Sequence, residues 1–480
     1  MRKKLKGFNY PFSLESNSQN LKFDIVIFNN NSYKNNNFTF LNLSKKFDKI
    51  DWNYSKFGKL WTYNLTYFDY LNQKNISKEE GLKLIYDFID NIDSIKDGLE
   101  PYPISLRIIN WIKFLSRFEI KDKKVENSLY AQSYILYDNL EYHLLGNHLL
   151  ENGFALFFAG IYFEDKKLLN KAKEILKSEL NEQILDDGGH FELSPMYHQI
   201  IFYRLLDSIN LLKSNNLNIL LEFLEKKASL MPSWLKNITF ENGEIPLFND
   251  SANRIAPTSN ELFKYASNLK LKTQNLKLNS SGYRKIKKQN YECIVDIGKI
   301  GPDYIPGHAH ADTFNFELYI KNKPFIVDTG ISTYETNQRR NIERSSFSHN
   351  TVEINNTNSS EVWGSFRVAN RAEVFDIDIK NDTISAKHNG YKKFGIYHTR
   401  EWKFQENEII INDSLNKKAD AIFRLHFHPS IKKETIIQKI ICNSEIKIRN
   451  YLYADEFNKL QTALMIEIKF EKELKVEIGI

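Results

Sequence analysis

At 480 residues the chain is too long for one ordinary core, so two domains are expected. Hydrophobic residues at 42% and aromatic residues at 14% are enough to build those cores, which excludes global disorder. The 66 basic residues exceed the 60 acidic ones by six, spread along the chain without an arginine-rich run, so an acidic substrate is slightly favoured and a nucleic-acid partner poorly supported.

In chain order, residues 1 to about 50 are polar and Asn-rich. The start, Met1-Arg2-Lys3-Lys4-Leu5-Lys6, is basic but lacks the apolar run of a secretory signal. A single strand-like run stands at Phe23-Asp24-Ile25-Val26-Ile27-Phe28. From about 60 to 270 apolar residues recur at three- and four-residue intervals, as in Glu80 to Ile89. Further stripes run over 105–118, 128–140, 149–163, 166–180, 196–212 and 217–235. Breakers such as Pro101-Tyr102-Pro103 and Asp186-Asp187-Gly188-Gly189 separate them, and Pro103 reads as a helix start. Helix pairs of similar size suggest a helical toroid.

After about 280 the period becomes 2, with β-branched and aromatic residues in 291–295, 314–320, 351–354 and 409–411. Turns of Asn, Gly and Asp separate these runs, the pattern of stacked antiparallel sheets. The expected fold is therefore an α+β multidomain chain. A 1–55 N-terminal extension precedes an (α/α) toroid over 56–280 and an antiparallel β-sandwich over 281–480. No stretch approaches the roughly 20 apolar residues of a membrane span. Cys293 and Cys442 are too few for a disulfide scaffold and permit a reduced compartment. As written, the sequence reads as cytoplasmic.

The densest chemistry is Gly307-His308-Ala309-His310-Ala311-Asp312, followed by Val327-Asp328-Thr329-Gly330 and Ser348-His349-Asn350-Thr351-Val352. Three of the chain's 11 histidines fall between 308 and 349. Imidazole and carboxylate are the ligand types for a borderline divalent ion. On an extended strand, His308 and His310 would point to one face, where one ring binds a metal and the other reaches a cleft. The alternative is two polar side chains at a loop edge.

Together with Tyr102 to Trp111, Gly146-Asn147-His148-Leu149-Leu150-Glu151-Asn152, Gly188-Gly189-His190 to Met196-Tyr197-His198 and Arg344-Ser345, these motifs resemble the heparinase II/III-like family of polysaccharide lyases. The resemblance covers about 60 to 430, in the family's order. It implies a bacterial carbon–oxygen lyase that cleaves a uronic-acid-containing acidic polysaccharide by β-elimination, in a cleft between toroid and sandwich. Such chemistry neutralises the uronate carboxylate, removes the C5 proton and protonates the departing O4.

By resemblance, Asn147 or Glu151 neutralises the carboxylate and His148 serves as base for one C5 epimer. A capped helix start is the plainer reading of that motif. Tyr197 is the family's acid/base, although a phenol near its ordinary pKa of about 10 needs a cationic or hydrogen-bonded neighbour to act as base. His308 is a second acid/base. Tyr334, Arg340, Arg344 and His198 are substrate-binding candidates, with an arginine gripping the substrate carboxylate in bidentate fashion; as a plainer reading, His198, like His190, is structural. His310, Asp328 and His349 match a structural zinc triad, and Asp312 would orient an imidazole. No organic cofactor is implied. His426-Phe427-His428 repeats the His-x-His pattern, as a strand edge or a site element.

A uronyl C5-epimerase would use the same residues without loss of O4. A non-catalytic glycan-binding or assembly protein of a bacterial surface-polysaccharide system is the other alternative. A glycoside hydrolase would need facing carboxylates from Asp186, Asp187 and Glu192. The chain is expected to be a monomer or homodimer, and periplasmic if the family habit holds.

Overall fold

The structure, a computed structural model, describes residues 2–5, 8–24 and 26–480. Two compact units emerge. One comprises Met1–Gln183, Ile201–Ser229 and Glu261–Lys272; the other comprises Ile184–Ile200, Leu230–Asn260 and Thr273–Ile480. Two segments from the helical stretch of sequence, 184–200 and 230–260, thus group with the sheets.

The helical unit carries α1 (Lys59–Tyr67), α2 (Lys78–Asn91), α3 (Pro101–Arg117), α4 (Lys123–Asp138), α5 (Gly146–Tyr162) and α6 (Lys166–Gln183). Starts are chemically marked. The Ser77 hydroxyl accepts the Glu80 N–H at 3.1 Å, and the Asp122 carboxylate accepts that of Val125 at 3.0 Å. Helix α3 begins at Pro101, two residues before the expected start, and Pro103 sits within its first turn, where a proline removes no intrahelical bond. α3 and α5 are buried nearly all round, whereas α6 buries only a stripe from Leu168 to Gln183. Inner helices are thus paired with outer ones. Gly160 makes one pairing possible: a Cβ there would sit 2.7 Å from the Leu169 backbone nitrogen of α6.

Next come α7 (Pro195–Ser214), α8 (Leu221–Ala228), α9 (Met231–Ile238) and α10 (Ser259–Asn268). The single stripe expected over 217–235 is broken at Ser229-Leu230, because Pro232 has no N–H to continue the first helix. Of the strand expected at 23–28, Ile25 lies outside the described residues, and the described positions form no strand. Strands occur instead at Tyr33–Lys34, Asn37–Phe40 and Leu43–Lys46. Two tight turns join them, with positive φ at Asn35, Asn36, Leu41 and Asn42.

The second unit holds antiparallel sheets, as expected. A four-stranded sheet runs Tyr283–Lys287, Tyr291–Asp296, Phe316–Ile320, Lys323–Ile326. A six-stranded sheet includes Thr383–His388, His398–Phe404 and Glu408–Leu415, and another four-stranded sheet includes Val352–Ile354 and Ala421–His426. Glu408–Leu415 alternates buried and half-buried residues, with Ile409 and Ile411 inward. Phe316, Leu318, Trp402, Ile411, Phe423 and Ile466, drawn from all three sheets, share one apolar core.

That core encloses a fully buried polar chain. His388 Nε2 lies 3.0 Å from His398 Nδ1, His398 Nε2 lies 2.6 Å from Asp413, and Arg400 Nε donates to the same carboxylate at 2.7 Å. Burial pushes the Asp413 carboxyl up, but Arg400 and His398 outweigh it and hold the group down at about 2. A depressed folded-state pKa adds stability above the ordinary carboxyl pKa, and that stability is lost as pH falls from about 4 toward 2. Wild type should therefore lose about 2 kcal/mol across that window that Asp413→Asn does not lose, measured by urea unfolding at stepped pH. Parallel acid limbs in the two proteins would refute this.

Candidate active site

Three segments of the sheet-bearing unit converge on one residue, Asp250. The first opens α7. Ser194 Oγ accepts the Tyr197 N–H at 3.2 Å and donates to the Asp250 carbonyl at 2.8 Å. Cap and carboxylate segment are thereby stitched together, and Tyr197 is fixed in the first helical turn. The second segment carries His308 and His310. It is a turn and not the expected strand: the Ala309 N–H donates to the Pro306 carbonyl at 3.1 Å. Both rings nonetheless reach Asp250, His308 Nδ1 at 2.9 Å from Oδ2 and His310 Nε2 at 2.9 Å from Oδ1. Asn249 Oδ1 accepts the His310 N–H at 3.1 Å and holds the turn in register.

The third segment is α11 (Gln338–Glu343). Arg340 grips Asp250 in bidentate fashion, NH1 to Oδ1 at 2.5 Å and NH2 to Oδ2 at 2.7 Å. Its Nε and NH2 also donate to the Ser365 carbonyl, at 3.1 and 2.9 Å. Burial pushes the Asp250 carboxyl up, yet the Arg340 guanidinium and the two imidazoles hold it well below the usual carboxylate range.

Tyr197 lies against His308, ring centroids 3.9 Å apart, and its hydroxyl is 3.4 Å from that of Tyr334. Phe366 meets the His308 ring edge-on at 5.8 Å and the Tyr334 ring at 5.2 Å. Glu192 Oε2 is 4.0 Å from His308 Nε2. A phenol, an imidazole held through Nδ1, and aromatic walls make an acid/base pair beside a surface suited to a sugar face.

Several expected roles change. The bidentate arginine exists, but the carboxylate it grips is the protein's own Asp250, so Arg340 has no fork left for a substrate. Arg344 is fully buried and donates to the Ala309 carbonyl at 2.9 Å, bracing the His308 turn; burial pushes its guanidinium down to about 10. His198 is also fully buried, its Nε2 3.2 Å from the Met231 carbonyl and its ring 4.4 Å from Trp234. It is a core residue and does not face substrate. Asp187 accepts from Gly189 N, Asn279 N, Ser281 N and Ser281 Oγ, which consumes the carboxylate a glycosidase would need. Tyr334 remains half-buried at the site.

The expected metal ligands are neighbours. His310 and His349 rings are 5.3 Å apart, and His349 Nδ1 lies 2.7 Å from Asp328 Oδ2. His310 Nδ1 and His349 Nε2 are buried without hydrogen-bond partners, a donor pair whose chemistry suits zinc. The Asp328 oxygens also accept from Asn315 Nδ2 and the Gly330 N–H, so Asp328 stands behind His349 as its orienting carboxylate. Among the described residues no three His, Cys, Asp or Glu side chains gather into a ligand set. Asp312 does not orient an imidazole: neither oxygen has a hydrogen-bond partner, and burial pushes its carboxyl up to about 7. His426 is buried at 3.2 Å from Asn350 Oδ1.

Within the helical unit, Asn147 is buried at the second position of α5. His148 is more open, its Nδ1 3.1 Å from Glu141 Oε1 and its ring 4.6 Å from that of Tyr102. Glu151 does not share their setting. It is buried with Arg204 Nε 2.6 Å from Oε1, next to the Lys113–Asp207 pair at 2.7 Å. This charge network, all within the helical unit, gives Glu151 a structural role.

Asp250 was missed by sequence reasoning. Its only signal is the polar Asn249-Asp250-Ser251 closing the apolar run 245–248. Ser365 acts through its backbone carbonyl, which no sequence signal marks.

The family description Heparinase II/III N-terminus matches residues 106–277, and Heparinase II/III-like, C-terminal, matches 272–471. A heparin-sulfate lyase of Bacteroides stercoris is 26% identical over 319 residues, 60% of this chain and 46% of that protein. A heparin-sulfate lyase of Pedobacter heparinus is 24% identical over 336 residues, 63% of this chain and 49% of that protein. The chain spans about half the length of these curated relatives. The crystal structure of heparinase III superposes with a TM-score of 0.69 at 18% identity, covering 91% of this chain and 80% of that one. At that identity the likeness speaks for the fold, a helical toroid followed by an antiparallel β-sandwich. The two adjoining matches, in the expected order, place the chain in the heparinase II/III-like family.

Proposed function

We propose that this chain is a polysaccharide lyase cleaving a uronate-containing acidic glycan by β-elimination, with His308 and Tyr197 carrying the protons. The supporting observation is the Tyr197–His308 ring contact at 3.9 Å, with His308 held through Nδ1 by Asp250. Imidazole and phenol are the side chains suited to take and to give a proton in such chemistry. His308 Nε2 takes the C5 proton, the C5–H electron pair becomes the C4=C5 π bond, and the C4–O4 bond breaks. O4 leaves with the Tyr197 phenolic proton. One net transfer from His308 to Tyr197 then resets the pair.

The relatives' names make heparin- and heparan-type glycans the first substrates to test, beside chondroitin-type polymers and alginate. Ultraviolet absorbance of a conjugated unsaturated uronate should rise on at least one of them. No rise on any polymer by the folded chain would overturn the reading, and solvent deuterium entering C5 without unsaturation would replace it with epimerisation.

We propose further that His310 and His349 hold a structural zinc ion, with Asp328 behind His349. Bound there, the ion would cross-link the 307–312 turn to the segment entering the strand Val352–Ile354 and take no part in proton transfer. About one zinc per chain is expected by elemental analysis, strongly reduced in His349→Ala, with a lower melting temperature after chelation. A metal-free chain whose melting is indifferent to added zinc would refute this.

A further inference from the structure

The site contains one group that the proton chemistry does not use, and that group touches both histidines of the His-x-His motif. Asp250 is fully buried and receives four donors on two oxygens: His310 Nε2 and Arg340 NH1 on Oδ1, His308 Nδ1 and Arg340 NH2 on Oδ2. Four donors saturate a carboxylate. Its backbone is pinned as well, the N–H donating to the His308 carbonyl at 3.1 Å and the carbonyl accepting Ser194 Oγ. A carboxylate clamped by a guanidinium only accepts hydrogen bonds, so both facing imidazole nitrogens must carry the proton.

We infer that Asp250 is a positioning residue that fixes a proton on opposite ring nitrogens of two histidines two residues apart: on Nδ1 of His308 and on Nε2 of His310. The consequence is a division of labour within one short motif. His308 Nε2 lies 4.0 Å from Glu192 Oε2, while His310 Nδ1, like His349 Nε2, is buried without a hydrogen-bond partner. The Arg340–Ser365 bonds tie the same carboxylate to the hairpin formed by Glu361–Trp363 and Arg367–Ala369, whose Phe366 walls the His308 ring. The catalytic meaning of the His308 tautomer rests on the lyase reading; the tautomers themselves do not.

The first test needs no variant. Long-range 15N–1H spectra of histidine-labelled chain distinguish the two tautomers directly, with His308→Gln and His310→Gln identifying the signals. We expect an Nδ1–H pattern for His308 and an Nε2–H pattern for His310. The same tautomer on both, or both reversed, overturns the inference whatever the activity. The second test is Asp250→Asn, whose amide has one acceptor and one donor and cannot satisfy both rings. Its expected signature is a tautomer change at one or both histidines. On an active glycan, kcat should fall by about 10⁴-fold with KM nearly unchanged, on the scale known for losing the tautomer-setting carboxylate of a hydrolase triad. Unchanged tautomers with unchanged kcat overturn the inference. A chain inactive on every glycan, with the two opposite tautomers intact, overturns the lyase reading and supports the positioning role of Asp250.

Discussion

Tyr197→Phe is expected to reduce kcat by about 10³-fold while leaving KM and stability close to wild type. The magnitude is that of losing a proton donor from the transition state. Folding should survive because phenylalanine keeps the ring that packs on His308 at 3.9 Å. The Tyr334 hydroxyl is 3.4 Å away, beyond the usual O–H···O range, so losing that contact should cost less than about 1 kcal/mol. The direction of the proton is also testable. If the phenol gives its proton to O4, a substrate with a more acidic O4 leaving group needs less help and should recover part of the lost rate in the variant. If the phenol instead takes the C5 proton, the leaving group should make no such difference. Tyr197→Phe with more than a tenth of wild-type kcat would remove Tyr197 from the chemistry.

The contrast between what was legible and what was not follows from the range of the interactions. Helices α2 to α7 and the strands at 291–296, 316–320, 352–354 and 408–415 were readable because their apolar residues repeat at 3.6 or 2 along the sequence itself. The α8–α9 break escaped because the stripe continues in phase across Ser229-Leu230 while a missing proline N–H ends the first helix. The strand pairs of 33–46 escaped because the Asn-rich stretch disguised two tight turns around Phe38 and Phe40. At the site, the residue types were visible but their partners were not. His308 and His310 were singled out as pointing to one face, one toward a metal and one toward a cleft; both rings instead reach one carboxylate, and a turn and not a strand brings it about. Asp250 lies 58 residues from His308 and 90 from Arg340, and nothing local marks it as their meeting point. Glu151 shows the same limit in reverse: an acid in a motif beside Asn147 and His148 is spoken for by Arg204.

Arg340→Met puts that lesson to a quantitative test. A sequence containing arginines near a cleft-facing histidine invites the assignment of substrate recognition, and in that case removal would raise KM and leave the free protein's stability alone. The structure demands the opposite. Arg340 and Asp250 are both fully buried, so methionine would leave a carboxylate in the protein interior with two imidazole donors and no guanidinium. Removing one partner of a buried ion pair costs on the order of 3–5 kcal/mol, most of it the penalty of the stranded charge. Unfolding followed by tryptophan fluorescence should show that loss in the absence of any glycan. The double variant Arg340→Met/Asp250→Asn should regain a large part of it, because the stranded charge is gone, and the non-additivity of the cycle measures the pair directly. A single-variant cost under about 1 kcal/mol would mean that water or a rearranged loop reaches Asp250 and that the clamp is not closed.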